Sequence, residues 1–225
     1  MPSGACIILG GDSRKPCPFP SAQKENDVGE MVKVSFDKGQ MGAIKRALTN
    51  DRPFADRISL GFAVRLLSVK ADLKEDHFLL DEIDYLEGLR PLSKTKQEEQ
   101  FRHHPLHPFW HKHYSAPRHL LKNIDVRWNL TGGGNGDLLP MLREVAKTHG
   151  KSPARWPGVV AHRLVFEGYI DRAKRGLTGD WIIFGKHAGQ NYYLDLATHK
   201  ESEDSKRLYE KLRQGSAAEF PFLFE

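Results

Sequence analysis

Apolar residues in the first half of the chain repeat with a helical period. A four-residue spacing predicts one amphipathic helix that begins near Pro53, carried by Phe54, Ile58, Phe62 and Leu66. A second helical pattern covers 78–86 and ends at Gly88, and alternating apolar residues predict a strand over 31–36. The first half of the chain is therefore predicted to be mainly helical.

The second half contains helices with clear start and stop signals. Asp137 is a good N-cap for a helix over 138–148. The next helix lies between Pro157 and Gly176 and is apolar over most of its circumference, so we expect it to be buried against a sheet. A last helix begins near Ser202, and the aromatic C-terminal tail after it is predicted to pack back on the protein.

Between these helices, residues 179–199 read as a β-hairpin. A two-residue turn at Ala188-Gly189 pairs Lys186 with Asn191. That register gathers polar side chains on one surface, namely Lys186, Asn191, Tyr193, Asp195 and His199. The opposite surface then holds the apolar residues Trp181, Ile183, Leu194 and Leu196. A three-residue loop would instead place His187 beside Asn191, and we prefer the first register because it separates polar from apolar positions.

These elements predict an α+β fold, in which an N-terminal helical part is followed by a small antiparallel sheet packed on helices. We expect a weakly ordered segment over 1–30, which is rich in proline, a mainly helical part over 31–90, and an α+β domain over 91–225. Because the chain has two cysteines and no apolar run of membrane-spanning length, we expect a cytoplasmic protein without structural disulfides and without membrane association.

Charge is distributed unevenly along the chain. Residues 90–128 hold eight Lys/Arg against three Asp/Glu, whereas residues 72–87 hold seven acids and one lysine. Cations interleaved with aromatic rings are typical of nucleic-acid surfaces, where phosphates meet cations and bases stack on rings. The predicted nucleic-acid-binding residues are Arg102, Trp110, Lys112, Tyr114, Arg118 and Lys122. The alternative is an ordinary solvated basic surface with the aromatic residues in the core.

The same block is rich in histidine. His107 and His111 have the four-residue spacing that presents two imidazoles to one ion. Pro105 and Pro108 interrupt any long helix there, and no His-Glu-x-x-His motif is present, so we predict neither a metal site nor another cofactor. A His-ligated, metal-dependent hydrolase remains the weaker alternative.

Histidine, lysine, tyrosine and carboxylate side chains on one hairpin face can cleave RNA without metal. One group takes the 2′-hydroxyl proton, a cation stabilises the pentavalent phosphorane, and another group protonates the leaving oxygen. The predicted catalytic residues are Lys186, Tyr193, Asp195 and His199, with His111 and His113 from the neighbouring block. The alternative is a half-buried hairpin whose polar side chains are only hydrated and have no catalytic role.

The segment 177–184 (LTGDWIIF) and the following 193–199 (YLDLATH) resemble the C-terminal strands of RelE/HigB-type toxins, although Ile182 stands where that family has arginine. The resemblance implies a small ribonuclease fold of the barnase-like superfamily, metal-independent cleavage of mRNA, and an acidic antitoxin or immunity protein as a partner. Together with 109–114 (FWHKHY), the hairpin also resembles uncharacterised prophage-encoded proteins.

We therefore expect a metal-independent, RNA-cleaving, toxin-like enzyme of phage or prophage origin, with RNA as its main partner. The alternative from another class is a non-catalytic nucleic-acid-binding or adaptor protein that uses residues 101–127.

Overall fold

The computed structural model describes residues 5–7, 34–150 and 153–225. Most of the segment 1–30, for which weak order is predicted, lies outside the described residues. The helices are α1 (Lys38–Leu48), α2 (Leu60–Ser68), α3 (Asp76–Leu86), α4 (Leu120–Trp128), α5 (Leu138–His149), α6 (Trp156–Arg175), α7 (His199–Ser202) and α8 (Ser205–Ser216). The strands are β1 (Ala5–Ile7), β2 (Val34–Phe36), β3 (Glu99–Gln100), β4 (Trp110–Tyr114), β5 (Asp180–His187) and β6 (Gln190–Ala197). Within these residues, no helix has both the length and the apolar character needed to cross a bilayer.

Four strands form an antiparallel sheet in the order β3-β4-β5-β6, and β1 and β2 form a separate pair. This arrangement confirms the predicted α+β class. The hairpin register is also as predicted, because Lys186 pairs with Asn191 across a two-residue turn. Both turn residues, Ala188 and Gly189, have positive φ angles (48° and 75°), as the tight turns of hairpins require.

The hairpin does not keep a single polar face along its length. Phe184 pairs with Tyr193 but Ile183 pairs with Asp195, so one extra residue lies on β6 and the register shifts there. As a result Tyr193 and Leu196 face the same hydrophobic cluster although they are three residues apart. The prediction that Tyr193, Asp195 and His199 continue one surface is wrong, because it assumed uninterrupted alternation.

Both faces of the sheet are buried. One face carries Tyr114, Phe184 and Tyr193 and packs on α2, α3 and the segment before α2. The other face carries Ile183 and Leu194 and packs on α8, on Leu106 and Phe109, and on the C-terminal aromatic residues, which fold back as predicted. The segments on either side of residue 90 therefore contribute to one common core.

The predicted single helix after Pro53 is broken in the structure. Residues 55–57 form a short 3-10 turn, Ile58 is extended, and Ser59 is the N-cap of α2. The hydroxyl oxygen of Ser59 accepts a hydrogen bond from the Phe62 amide at 2.9 Å. The cap at Ser59 starts a new helix in the middle of the series with four-residue spacing. All four apolar residues of that series are nevertheless buried.

The outer edge of β6 is covered by polar groups from other elements. The carbonyl oxygen of Tyr193 accepts the Ser59 amide at 2.8 Å, and that of Leu194 accepts the hydroxyls of Ser59 and Ser216. Further carbonyl oxygens of the strand accept a guanidinium hydrogen from Arg57 and an ammonium hydrogen from Lys211. The strand is thus hydrogen-bonded on both sides.

Helices α4, α5 and α6 form a third hydrophobic cluster away from the sheet. Gly168 of α6 lies so close to the Trp128 indole that a Cβ atom there would come within 2.6 Å of its nitrogen, and that nitrogen donates to the Leu164 carbonyl at 3.0 Å. The expectation that α6 is buried against the sheet is wrong. The helix packs on α4 and α5 and leaves part of its apolar surface exposed.

Candidate functional site

The structure separates the predicted catalytic residues into different places. Tyr193 and Asp195 are buried, Lys186 lies near the turn of the hairpin, and the histidines from β4 and α7 meet at the other end. Lys186 and Trp181 are five residues apart on β5, which corresponds to about 17 Å along an extended strand. The six predicted catalytic side chains therefore do not form one site.

Tyr193 is held inside the protein by a polar network. Its hydroxyl donates to a carboxylate oxygen of Glu87 at 2.6 Å, and the same carboxylate oxygen accepts a hydrogen bond from Arg57 at 2.9 Å. Burial and the bond to Glu87 raise the pKa of Tyr193 far above its ordinary value. The phenol is therefore a structural hydrogen-bond donor that joins β6 to the end of α3.

Asp195 is also buried, with 3% of its surface exposed. Burial raises the pKa of Asp195, and the two cations beside it, Lys211 at 3.1 Å and Arg65 at 3.5 Å, oppose that rise. These contacts connect β6 to α8 and α2. They pair the carboxylate with two cations of the protein itself.

Lys186 is on the surface and lies over an aromatic ring. Its ammonium nitrogen is 3.8 Å from the centre of the Trp110 ring and 3.9 Å from a carboxylate oxygen of Glu98. A cation over the face of a tryptophan is stabilised by the ring quadrupole. The contact accounts for both Lys186 and Trp110 without a ligand.

Three imidazoles surround the indole of Trp181, and we call this group the histidine cluster. Its distances between ring centres are 4.4 Å to His111, 6.0 Å to His113 and 5.4 Å to His199. Phe101 completes the group at 4.8 Å from His111. The alternation of β4 places His111 and His113 on one face, and β5 brings Trp181 beside them as the cross-strand partner of His113. His199 comes from the first turn of α7 and is exposed.

Burial keeps two of these imidazoles neutral. It lowers the pKa of His113 to about 4, and it also lowers the pKa of His111. The positive charge of Lys96 adds to the lowering at both rings. His113 Nδ1 donates to the Gly179 carbonyl oxygen at 3.0 Å, which leaves Nε2 as its basic nitrogen. At neutral pH the cluster therefore contains proton acceptors.

Two buried polar atoms of the cluster have no hydrogen-bond partner among the described residues. They are Nδ1 of His111 and Nε1 of Trp181, whose rings are in contact. Buried polar groups are nearly always paired in native proteins. The histidine cluster differs in this respect from Tyr193 and Asp195, whose polar atoms have partners within the protein.

The predicted nucleic-acid surface is not formed as a continuous patch. Lys112 is fully buried, with its ammonium 3.2 Å from Glu82, and Tyr114 is buried with its hydroxyl accepting from Arg118 at 2.9 Å. Arg118 also pairs with Glu75 and Asp180. The prediction for Lys112 and Tyr114 is corrected because β4 is an interior strand of the sheet, so alternate side chains must enter the core. Of the remaining predicted cations, Arg102 and Lys122 are exposed.

The histidines of the preceding loop lie outside the cluster. His107 Nδ1 is 3.1 Å from the Phe101 carbonyl oxygen, and its ring contacts His104. In the part of the chain that the structure describes, no three His, Cys, Asp or Glu side chains are arranged to hold a metal ion.

Sequence reasoning missed the roles of Lys96, Phe101 and Trp181 in this arrangement. Trp181 is predicted only for the core side of the hairpin, and neither Lys96 nor Phe101 is among the predicted site residues. The sequence signal for this arrangement was the alternation of side chains from Trp110 to Tyr114, which is compatible with a strand if its polar residues have partners inside the protein.

Comparisons of the chain with protein-family models, with curated proteins and with solved structures find no match.

Proposed function

We propose that this protein cleaves RNA without a metal ion and that the histidine cluster is its active site. The observation that carries the proposal is a series of ring contacts. The exposed imidazole of His199 contacts His113, and His113 contacts His111, and burial keeps both of the latter neutral. A pair of imidazoles in different environments is what acid–base cleavage of a phosphodiester requires.

In the proposed reaction, neutral His111 accepts the proton of the 2′-hydroxyl. The 2′-oxygen then attacks phosphorus, and the bond from phosphorus to the 5′-oxygen breaks. His199, which is open to solvent, gives its proton to the departing 5′-oxygen. The products are a 2′,3′-cyclic phosphate and a free 5′-hydroxyl.

Other members of the group have supporting roles in this scheme. Lys96 stabilises the negative charge of the pentavalent phosphorane. His113 packs between His111 and His199, at 5.9 and 5.5 Å between ring centres, and positions both rings. Phe101 and Trp181 offer aromatic surface on which a base can stack.

The test is cleavage of a fluorescent RNA oligonucleotide in EDTA. His111→Ala and His199→Ala should each lower the rate by about 10²-fold or more. His103→Ala is the matched control, because His103 is an exposed histidine outside the cluster, and it should retain full activity. An RNA with a single 2′-deoxy substitution at the cleavage position should resist the enzyme. Undiminished cleavage by the double variant, or a strict need for a divalent ion, would contradict the proposal.

A toxin-like role of phage or prophage origin belongs to the same proposal. Expression of the wild-type protein should slow bacterial growth, and expression of the His111→Ala/His199→Ala variant to the same level should not. Equal growth inhibition by the two proteins would show that the toxicity does not depend on RNA cleavage by the histidine cluster.

A second candidate function is nucleic-acid binding without cleavage. The formal net charge of +5 and the exposed cations Lys96, Arg102 and Lys122 favour it. In that case the protein should bind single-stranded RNA in a salt-dependent manner, and replacing these cations together with Gln should flatten that dependence. Intact RNA after prolonged incubation with saturating protein would favour this function over catalysis.

A further inference from the structure

The guanidinium of Arg172, near the end of α6, is buried without an acidic partner among the described residues. Arg172 is 9% exposed, and its Nε has no hydrogen-bond partner there. Its Nη2 donates to the Gly176 carbonyl oxygen at 3.0 Å, and the neighbouring carboxylate, Asp171, pairs with Arg127 instead. Burial and the charge of Arg175 both lower the pKa of Arg172. Because buried charges in proteins are normally paired, this position favours a bound anion.

Capping of the helix end accounts for only part of this arrangement. Cationic side chains near a helix C-terminus stabilise its last carbonyl groups, and the bond from Arg172 to Gly176 is of this kind. That bond leaves Nε without a partner. A cation at the surface would stabilise the helix end equally well and would keep its hydration. The burial of Arg172 therefore needs an explanation besides capping.

Residues 94–97 lie directly against the end of α6. The Leu177 amide donates to the Lys94 carbonyl oxygen at 2.9 Å, and the Lys96 amide donates to the Leu177 carbonyl oxygen at 3.3 Å. Gly176, with a φ of 86°, packs so closely on Lys96 that a Cβ atom there would lie 2.9 Å from the Lys96 amide nitrogen. The two segments therefore form one surface.

This surface is strongly basic. Segments 94–97 and 172–179 contain no Asp or Glu, and their cations, which we call the basic patch, are Lys94, Lys96, Arg172, Lys174 and Arg175. The other four are exposed, and none of the five forms an ion pair with another described residue. The next acids, Glu98 and Glu99, lie towards Lys186 and His111. Unpaired lysines around a buried guanidinium are well suited to phosphate groups.

The basic patch adjoins the histidine cluster. The Thr95 hydroxyl donates to the His113 carbonyl oxygen at 2.8 Å, and the charge of Lys96 lowers the pKa of His113. Gly179, which accepts the His113 ring hydrogen, follows Gly176 by three residues, a span of at most about 11 Å along the chain. A nucleic-acid strand in the histidine cluster would therefore bring a neighbouring phosphate to the basic patch.

We infer that the basic patch binds backbone phosphates of the RNA strand beside the scissile bond, and that Arg172 holds one of them. The inference rests on the proposed function, because it takes RNA as the ligand. A guanidinium donates two parallel N–H bonds to phosphate oxygens, and the surrounding lysines add charge. The substrate is then a single strand that extends beyond the scissile phosphate, so a dinucleotide lacks part of the binding energy.

The test is binding of a fluorescein-labelled RNA of about 12 nucleotides whose 2′-hydroxyls are all methylated, which blocks cleavage. Fluorescence anisotropy with the full chain, in EDTA and at a series of salt concentrations, gives the affinity. Lys174→Gln/Arg175→Gln should weaken binding by about tenfold or more. It should also flatten the plot of log affinity against log salt by about 1, since each phosphate contact of a single strand contributes about 0.7. Arg143→Gln/Lys147→Gln on α5 makes the same charge change at exposed positions and should bind normally.

Arg172→Met separates phosphate binding from helix capping. Removal of a buried, unpaired charge should leave the free energy of unfolding unchanged or raise it, whereas RNA affinity should fall by about tenfold or more. Arg172→Lys should recover part of the affinity, because it keeps the charge but not the bidentate geometry. A lower free energy of unfolding with unchanged RNA affinity would assign Arg172 to capping and overturn the inference. If Arg172→Met does not fold, the exposed pair Lys174 and Arg175 decides the question.

Cleavage measurements distinguish this inference from the proposed function. With cleavable RNA, Lys174→Gln/Arg175→Gln should raise KM by about tenfold and leave kcat nearly unchanged, as expected for a contact made equally in the ground state and the transition state. RNA binding that depends on the basic patch, without any cleavage, would contradict the proposed function and support the inference. Normal cleavage with unchanged KM and affinity in both variants would overturn the inference and leave the proposed function intact. Failure of the wild-type protein to bind the methylated RNA at low salt would also overturn the inference.

Discussion

The ammonium nitrogen of Lys112 lies 3.2 Å from a carboxylate oxygen of Glu82, and Lys112 is fully buried. The same nitrogen donates to the hydroxyls of Ser93 and Thr95. Burial lowers the pKa of Lys112, and the charge of Glu82 opposes that change. This ion pair joins the interior strand β4 to helix α3, so we expect it to affect stability rather than ligand binding.

Replacing Lys112 with Met should destabilise the protein by about 3–5 kcal/mol, because it leaves the Glu82 carboxylate buried without its partner. The measurement is the free energy of unfolding in urea. The double variant Lys112→Met/Glu82→Leu should recover much of that loss, since no unpaired charge remains. A loss below about 1 kcal/mol in the single variant, the range of surface ion pairs, would contradict the buried pair.

Removal of the Tyr193 hydroxyl tests a structural role against a catalytic one. Tyr193→Phe deletes the hydrogen bond to Glu87 and should lower the free energy of unfolding by about 1–3 kcal/mol. The rate of RNA cleavage per folded molecule should stay unchanged, because Tyr193 lies in the core between the sheet and the helices. A large fall in the rate of RNA cleavage with an unchanged free energy of unfolding would instead indicate a catalytic role for Tyr193.

Stability should depend on pH through His113. Because burial lowers the pKa of His113 from 6.5 to about 4, the unfolded chain binds a proton there before the folded protein does. The free energy of unfolding should therefore be highest above pH 6.5. As pH falls to about 4, His113 alone should remove up to roughly 3 kcal/mol.

The measurement for His113 is urea unfolding at a series of pH values. His113→Gln should unfold with a flatter pH dependence over this interval, and His103→Gln, at an exposed position, should keep the wild-type slope. The same slope in the His113 variant and the wild type would show that another group is responsible.

Gly179 tests how closely the backbone beside the histidine cluster is packed. A Cβ atom there would lie 1.9 Å from the Tyr114 carbonyl oxygen, so Gly179→Ala must displace the start of β5. We expect a loss of about 1–3 kcal/mol or more in the free energy of unfolding, with reduced cleavage because Gly179 also accepts the His113 hydrogen bond. Gly136→Ala is the control, since its added methyl group meets open space.

Local signals were sufficient for some elements and insufficient for others. The Ala188-Gly189 turn fixed the hairpin register because turn chemistry depends on neighbouring residues alone. The extra residue on β6 could not be predicted in this way, because it depends on packing against two separate cores. The inserted position separated Asp195 from the face of Tyr193 and brought Leu196 onto that face. Tyr193 itself keeps its regular pairing with Phe184, and it is buried because α2 and the segment before it cover this face of the sheet.

Strand β4 shows a second limit of sequence reasoning. Its sequence, Trp110 to Tyr114, contains three basic residues and is typical of a surface segment. Lys112 is interior only because Glu82 lies opposite it, 30 residues earlier in the chain. For α6, periodicity predicted the apolar circumference correctly, but it could not tell which neighbour would cover that surface.

The covered edge of β6 has a consequence for self-association. An outer strand with free carbonyl groups is a template on which another chain can add a strand, and this is a common route to aggregation. Here Ser59, Ser216 and Lys211 occupy carbonyl groups along that edge. Strand addition at β6 would first have to break these bonds. We therefore expect this edge to resist fibril growth, even in variants that weaken packing elsewhere.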